Sequence, residues 1–385
     1  MSPVLPHIAI NGRFLTQATT GVQRFAVETT KAIDRLIDSG EYAALEGRIE
    51  IVAPRSARDF PLRHIPLRRR GRFNGYFWEQ VEFPLHARNR LLLNMCMLGP
   101  VMMRHQIVVV HDDAVRALPA NFSKLFRLAY GFLVPRLCRR ADRIVTVSEF
   151  SRREIGKWYG ADVGKVRVSY VGADHLAAVG ADQTIIERLG LSDRTFFLGV
   201  GGGGSRNKNL ETAVAGFMKA DLPDTLMVLT GAHHAWVFGH SIDVTSERVR
   251  RAGYVSDSEL RALYEHALAI VFPSHYEGFG LPPLEAMLCG CPGIISDQQA
   301  LVEICGDVAL KCSANDSDEI ARLMRLIHDD PQRRAAMVAA GRVHAARFTW
   351  ESTARVLLDL CLSQPKQNDR SRASVTLAPE TKAAA

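Results

Sequence analysis

Two stretches of this 385-residue chain carry residue types spaced for chemistry on a phosphorylated, hydroxyl-rich ligand. The first is Gly199-Val200-Gly201-Gly202-Gly203-Gly204, followed at once by Ser205-Arg206-Asn207-Lys208-Asn209. The glycines match G-x-G-x-x-G and follow an apolar run, which is the context of a dinucleotide site. The acidic residue such a site needs after the next strand is missing, because 226–229 runs into Thr230-Gly231. A better reading starts from Arg206 and Lys208, two cations at the start of a predicted helix. Helix N-terminal N–H groups carry partial positive charge and bind phosphate, and glycines such as Gly203 and Gly204 let backbone come close to it. This segment is suited to a diphosphate.

The second stretch is His275-Tyr276-Glu277-Gly278-Phe279-Gly280-Leu281-Pro282-Pro283-Leu284-Glu285-Ala286-Met287. Pro282-Pro283 mark the first turn of a helix. Glu277 precedes that helix, and Glu285 sits about one turn inside it on an otherwise apolar surface. Gly278 and Gly280 leave backbone N–H groups unhindered near the helix start. A carboxylate, open amides and a second carboxylate are thus offered to one ligand. Carboxylates accept paired hydrogen bonds from vicinal hydroxyls, as on a ribose or a hexose. A third candidate is His111, which ends the β-branched run 107–110 and opens His111-Asp112-Asp113.

The elements that must position these residues alternate between strand and helix. In the first half, strands are predicted at 7–10, 48–53, 107–110, 143–147 and 166–171. Helices are predicted at 22–37 and about 123–140, with another opening at Ser148. Residues 54–75 read as a basic loop. In the second half, strands fall at 196–200, 226–229, 250–255, 268–272 and 293–296. Helices fall at 209–219, 256–266, 281–289 and about 316–328, 331–346 and 350–363. Uninterrupted apolar runs suit strands buried on both faces of a parallel sheet. The fold class is therefore α/β, with two doubly wound parallel sheets. Residues 1–180 form one domain and 181–350 a second. Residues 351–363 are a final helix able to pack back on the first domain, and 364–385 read as a disordered tail. Ligands of such sheets bind beyond the C-terminal strand ends. The two stretches above, and His111, all follow strands.

Composition narrows the function classes. At 47% hydrophobic and 23% charged, the chain has the balance of a soluble globular protein. The longest apolar run, 91–103, contains Asn94 and Gly99-Pro100 and is too short to span a bilayer. The N-terminus does not read as a signal peptide, so a cytoplasmic location is expected. Seven cysteines without a C-x-x-C pair suggest ordinary buried thiols rather than a disulfide or zinc framework. Residues 1–180 hold 27 Lys and Arg against 16 Asp and Glu, net +11, whereas the remainder is net −4. A basic first half suggests an anionic partner there. Arg63, Arg68, Arg69, Arg70 and Arg72, followed by Phe73, Tyr76, Phe77 and Trp78, suggest an anionic membrane surface. No basic segment is interleaved with stacking aromatics as a nucleic-acid reader requires, so nucleic acid is not expected.

The combination resembles the retaining GT-B glycosyltransferases of family GT4. Glu277 and Glu285 have that family's E-x7-E spacing. Gly201–Asn209, Gly253-Tyr254-Val255-Ser256-Asp257, Phe272-Pro273-Ser274, Glu303-Ile304-Cys305-Gly306-Asp307 and Phe348-Thr349-Trp350-Glu351 are similar to its motifs. So are Thr20-Gly21-Val22-Gln23-Arg24, Val110-His111-Asp112 and Val147-Ser148-Glu149-Phe150-Ser151. The resemblance covers roughly 7–363 and is strongest to bacterial O-antigen and exopolysaccharide mannosyltransferases. One departure is Asn207, interposed between Arg206 and Lys208 where the family often has Arg followed directly by Lys-Asn.

The resemblance implies a GT-B fold and transfer of a hexose, best matched by mannose from GDP-mannose, to a lipid-linked glycan. A UDP-sugar enzyme of another chemistry, such as an epimerase or a glycogen-type synthase, is the alternative. Lys208 with Arg206 would bind the donor diphosphate, and Glu285 the nucleotide ribose. Glu277 would contact the donor sugar, and Gly278, Phe279, Gly280 and Leu281 would offer amides to sugar and phosphate. His111 would sit at the reaction centre and Gly21 in a loop near phosphate or acceptor. No cofactor is implied. The only Asp-x-Asp, Asp316-Ser317-Asp318, reads as a helix N-cap rather than a metal motif, so no obligatory metal is expected.

Overall fold

In the computed structural model, residues 5–201, 206–231 and 246–363 are described. The first sheet is built from β1 (Ile8–Asn11), β2 (Ile49–Ala53), β3 (Leu67–Arg69), β4 (Leu91–Asn94), β5 (Gln106–Val109), β6 (Arg143–Thr146) and β7 (Val166–Val168). Its order is β3-β2-β1-β4-β5-β6-β7. The second contains β8 (Thr195–Val200), β9 (Thr225–Thr230), β10 (Val249–Gly253), β11 (Ala269–Phe272), β12 (Gly293–Ser296) and β13 (Leu310–Cys312). Its order is β10-β9-β8-β11-β12-β13. Neighbouring strands are parallel throughout both sheets. The α/β class and the two doubly wound sheets are as the alternating pattern predicts.

Strand order reverses between β1 and β4 in the first sheet and between β8 and β11 in the second. Helices on either side of a reversal diverge and leave a crevice beyond the strand ends. Gly12–Gly21 follow β1, Arg206–Lys208 come after β8, and Pro273–Gly280 follow β11, so candidate residues lie at both reversals, with His111 one strand further on after β5.

Three strands escape the sequence reading: β3, β4 and the short β13. Residues 54–75 are not wholly a loop, because Leu67 pairs with Ile51 and makes β3 the sheet edge. An edge strand can be charged, and Arg68 and Arg69 are exposed, so apolar patterning gives no signal. β4 lies inside the apolar run 91–103 and pairs with β1 and β5. In the connector after β7, Leu176, Ile185 and Ile186 are buried. All seven cysteines are free thiols.

The last described helix, Trp350–Leu362, crosses back to the first domain. Trp350, Ala354, Leu357, Leu358 and Cys361 are buried in the core cluster that also contains Phe25, Ala32 and Ile33. Tyr42 Oη donates to Asp359 Oδ1 at 2.7 Å, and Arg355 pairs with Glu41 at 2.7 Å.

Candidate active site

Lys208 is fixed by the asparagines on either side. The Asn207 side chain donates to Tyr276 O at 3.0 Å, and its backbone carbonyl accepts from His275 N at 2.8 Å. Asn209, at φ +53°, donates to Pro273 O at 3.1 Å and to Ala314 O at 2.6 Å. The turn after β8 is thus stitched to the loop after β11. Asn207, the departure in sequence, shares that stitching with Asn209. Lys208 Nζ then reaches both Glu277 carboxylate oxygens at 2.8 and 3.0 Å, and lies 4.8 Å from the Phe272 ring centroid. Ser274 Oγ donates to Glu277 Oε1 at 2.5 Å. The expected diphosphate cation and sugar carboxylate therefore face each other. Arg206 belongs to the same turn, Arg206–Lys208. Gly203 and Gly204 lie outside the described residues.

At Gly278 the second domain packs directly on the first. A Cβ there would stand 2.7 Å from Asp112 Cβ and 3.0 Å from His111 O, distances only glycine avoids. Its carbonyl accepts from Ser148 Oγ at 2.6 Å and Ser151 Oγ at 3.1 Å. Tyr276 Oη accepts from Asp113 N at 3.1 Å, and Glu303 accepts from Glu149 N and Phe150 N at 2.7 and 2.9 Å. Gly280 has φ +105°, and a Cβ there would strike Leu301 Cδ2 at 2.5 Å. The Phe279 ring is buried against Tyr170 and Phe348, so only its backbone is placed for a ligand. Leu281 begins the helix Leu281–Leu288.

His111 is buried, and Nε2 lies 2.9 Å from Met95 O. With a carbonyl there, Nε2 carries the proton and Nδ1 is the ring's acceptor. Burial depresses its pKa to about 4, so the ring is neutral at physiological pH. Burial, then the Glu277 charge, pushes the Asp112 carboxyl up from its usual range. Glu285 is buried, with Oε2 3.3 Å from Tyr264 Oη and Oε1 3.1 Å from His175 Nε2. Gly21 opens the helix Gly21–Asp38, and nothing lies within 4 Å of where its Cβ would stand. Asp316 caps its helix by accepting from Asp318 N and Glu319 N at 3.0 and 2.9 Å.

Sequence reasoning missed the contacts that cross between the sheets. Arg24 makes a bidentate pair with Asp257 at 2.8 and 2.6 Å, joining residues 233 positions apart. Both belong to motifs singled out above, but nothing in their spacing pairs them. His175 and Asp112 carried no signal as donor-side residues.

The second half of the chain, residues 182–344, matches the family model described as glycosyl transferases group 1. The chain is similar to the O-antigen chain mannosyltransferase B of Escherichia coli, 31% identical over 224 residues. That match spans 55% of this chain and 58% of the relative. A glycogen synthase of Mycobacterium tuberculosis is 29% identical over 240 residues, 59% of this chain and 55% of that one. The match thus spans little more than half the length of these two relatives. In fold, it is similar to Anabaena Alr3699/HepE, solved in complex with UDP and glucose, with a TM-score of 0.70 at 16% identity. That likeness covers 93% of this chain and 100% of the other. The chain therefore has the two-sheet GT-B architecture, and its residues 182–344 are a glycosyl transferases group 1 domain.

Proposed function

We propose that this chain is a retaining glycosyltransferase of the GT4 type that moves a hexose from a nucleotide-diphosphate sugar to a lipid-linked glycan. The observation that carries the reading is the Lys208–Glu277 pair, set at the strand-order reversal of the second sheet and within one glycine of His111-Asp112 from the first. Lys208, with Arg206 and the N-terminus of the helix Leu281–Leu288, neutralises the leaving diphosphate as the bond from the anomeric carbon to phosphate oxygen breaks. The bond electrons leave with the diphosphate. An acceptor hydroxyl forms the new bond from the same face, and its proton passes to the departing phosphate oxygen. Glu277 orients the sugar hydroxyls, and neutral His111 offers Nδ1 as an acceptor. Glu285 holds the ribose. This chemistry calls for no metal.

Mannose from GDP-mannose is the proposed donor, supported by the relative named as an O-antigen mannosyltransferase. The alternative, a UDP-sugar, is supported by the glycogen synthase relative and the neighbour solved with UDP. The acceptor is proposed to be met at the inner face of a membrane. No described helix is long and apolar enough to cross one. The basic segment does present Phe73, Tyr76 and Phe77 at 53, 44 and 54% exposure. Trp78 is not part of that surface. It is fully buried, its indole donating to Arg70 O at 2.9 Å and stacking on Phe83. Calorimetry with bare GDP and UDP tests the donor reading. One of them should bind, and Glu285→Ala should weaken it by about tenfold or more, since two hydroxyls lose a charged acceptor. No binding of either nucleotide would sink it.

A further inference from the structure

Three side chains from three parts of the chain meet behind Glu285. His175 lies in the connector between the domains, in the turn Asp174–Ala178. Trp350 begins the helix that crosses back to the first domain. Tyr264 comes from the helix Asp257–His266. The Trp350 Nε1–H group donates to His175 Nδ1 at 3.2 Å. An indole nitrogen can only donate, so Nδ1 is the acceptor and the ring's proton sits on Nε2. That Nε2 is buried and lies 3.1 Å from Glu285 Oε1, off the line of a formed hydrogen bond and with no other partner. The His175 side chain is 4% exposed and that of Glu285 7%, so water does not substitute. An N–H group buried this way costs free energy unless a carboxylate takes it up.

Trp350 is itself held firmly. Its backbone N–H donates to Asp174 Oδ1 at 2.8 Å, and a Cβ at Gly172 would strike Trp350 N at 2.2 Å, so only glycine lets the chains pass. Its indole packs edge-on to Phe25, 6.1 Å between ring centroids, and Phe25 packs edge-on to His111 at 4.9 Å. The two residues read as donor-contacting, His111 and Glu285, are thus bridged by Phe25, Trp350 and His175.

We propose that His175 is a positioning residue for the nucleotide ribose: Trp350 sets its tautomer, and its Nε2–H orients the Glu285 carboxylate toward the ribose hydroxyls. This rests on reading Glu285 as the ribose acceptor. Trp350 opens the helix that spans both domains. Nucleotide grip therefore depends on that helix being docked.

The test compares each nucleotide with its 2′,3′-dideoxy analogue. Kd is measured by calorimetry for GDP and dideoxy-GDP, and for UDP and dideoxy-UDP, on wild type, His175→Leu, His175→Gln and Trp350→Phe. The readout is the ratio of dideoxy to ribose Kd, which a general loss of folded protein leaves unchanged. Wild type should prefer the ribose form by about tenfold or more. His175→Leu should bring that ratio down to about one to three, through weaker ribose binding with the dideoxy Kd nearly unchanged. Trp350→Phe should lower it in part. His175→Gln, which returns an N–H near Nε2, should restore most of it. A wild-type ratio above ten that His175→Leu leaves intact overturns the inference. A wild-type ratio near one overturns instead the reading of Glu285 on which it rests.

Discussion

Replacing Glu277 by Gln should tighten binding of bare nucleotide diphosphate while nearly abolishing transfer. Lys208 is neutralised by Glu277 at 2.8 and 3.0 Å. A phosphate that reaches the ammonium from the open side meets the carboxylate roughly 5–6 Å away. At an effective dielectric constant of about 20, that repulsion is ~3 kcal/mol per unit charge. The side chains are 18 and 11% exposed, so solvent screening leaves about half of this for the comparison.

Gln keeps the length of the side chain. It also retains an oxygen for Ser274 Oγ, which donates to Glu277 Oε1 at 2.5 Å. Binding of bare GDP or UDP should therefore improve by about tenfold, and the gain should shrink as salt is raised. Turnover should fall by ~10²-fold or more, because the charged acceptor for the sugar hydroxyls and for the developing positive charge is gone. Calorimetry gives the first number and single-turnover assays with the nucleotide sugar the second. A folded variant that binds bare nucleotide tenfold more weakly would refute the reasoning, since Glu277 would then belong to the phosphate clamp.

Lys208→Ala should cut transfer by at least ~10²-fold, read as kcat/KM on the nucleotide sugar; near wild-type turnover would remove Lys208 from the site. Activity should persist in excess EDTA, and complete loss restored by Mg²⁺ or Mn²⁺ would contradict the metal-free chemistry. Burial raises the Asp113 carboxyl from 3.8 to about 6, so the fold favours its protonated form. That contribution is full below about pH 4 and lost as pH rises through about 6. Asp113→Asn should therefore be the more stable protein at pH 7–8 and match wild type near pH 4, as urea midpoints would register. Arg68, Arg70 and Arg72 changed together to Ser should release the protein from anionic vesicles in flotation at low salt. Arg69 is spared because it donates to Ala57 O and pairs with Asp59. Undiminished flotation would place any membrane contact elsewhere.

Much of the site was legible because strand ends advertise themselves. Apolar runs that stop at Val200, Phe272 and Val110 identify the positions beyond them, and Gly278 and Gly280 proved to be places where a Cβ cannot fit. Helix caps at Ser148 and Asp316 are local chemistry and were readable as such. The edge strand Leu67–Arg69 was not, because an exposed charged strand has no apolar alternation. Trp78 looked like a surface anchor because a local run of aromatics does not reveal which ring turns inward. Contacts between Arg24 and Asp257, or among His175, Trp350 and Glu285, depend on how the two sheets and the crossing helix close on one another. Separation along the chain hides such pairs from any pattern of spacing.

The most direct measurement of the central claim is a panel of nucleotide sugars, GDP-mannose and UDP-hexoses among them, incubated with the protein and a polyprenyl-diphosphate-linked glycan. Released nucleotide and extended glycan are both quantified, and the anomeric configuration of the product is determined. The account predicts release of one nucleoside diphosphate in step with glycan extension, retention of configuration, and loss of both products in Lys208→Ala. Absence of nucleotide release from every donor, by a protein that also fails to bind bare GDP and UDP, would contradict it.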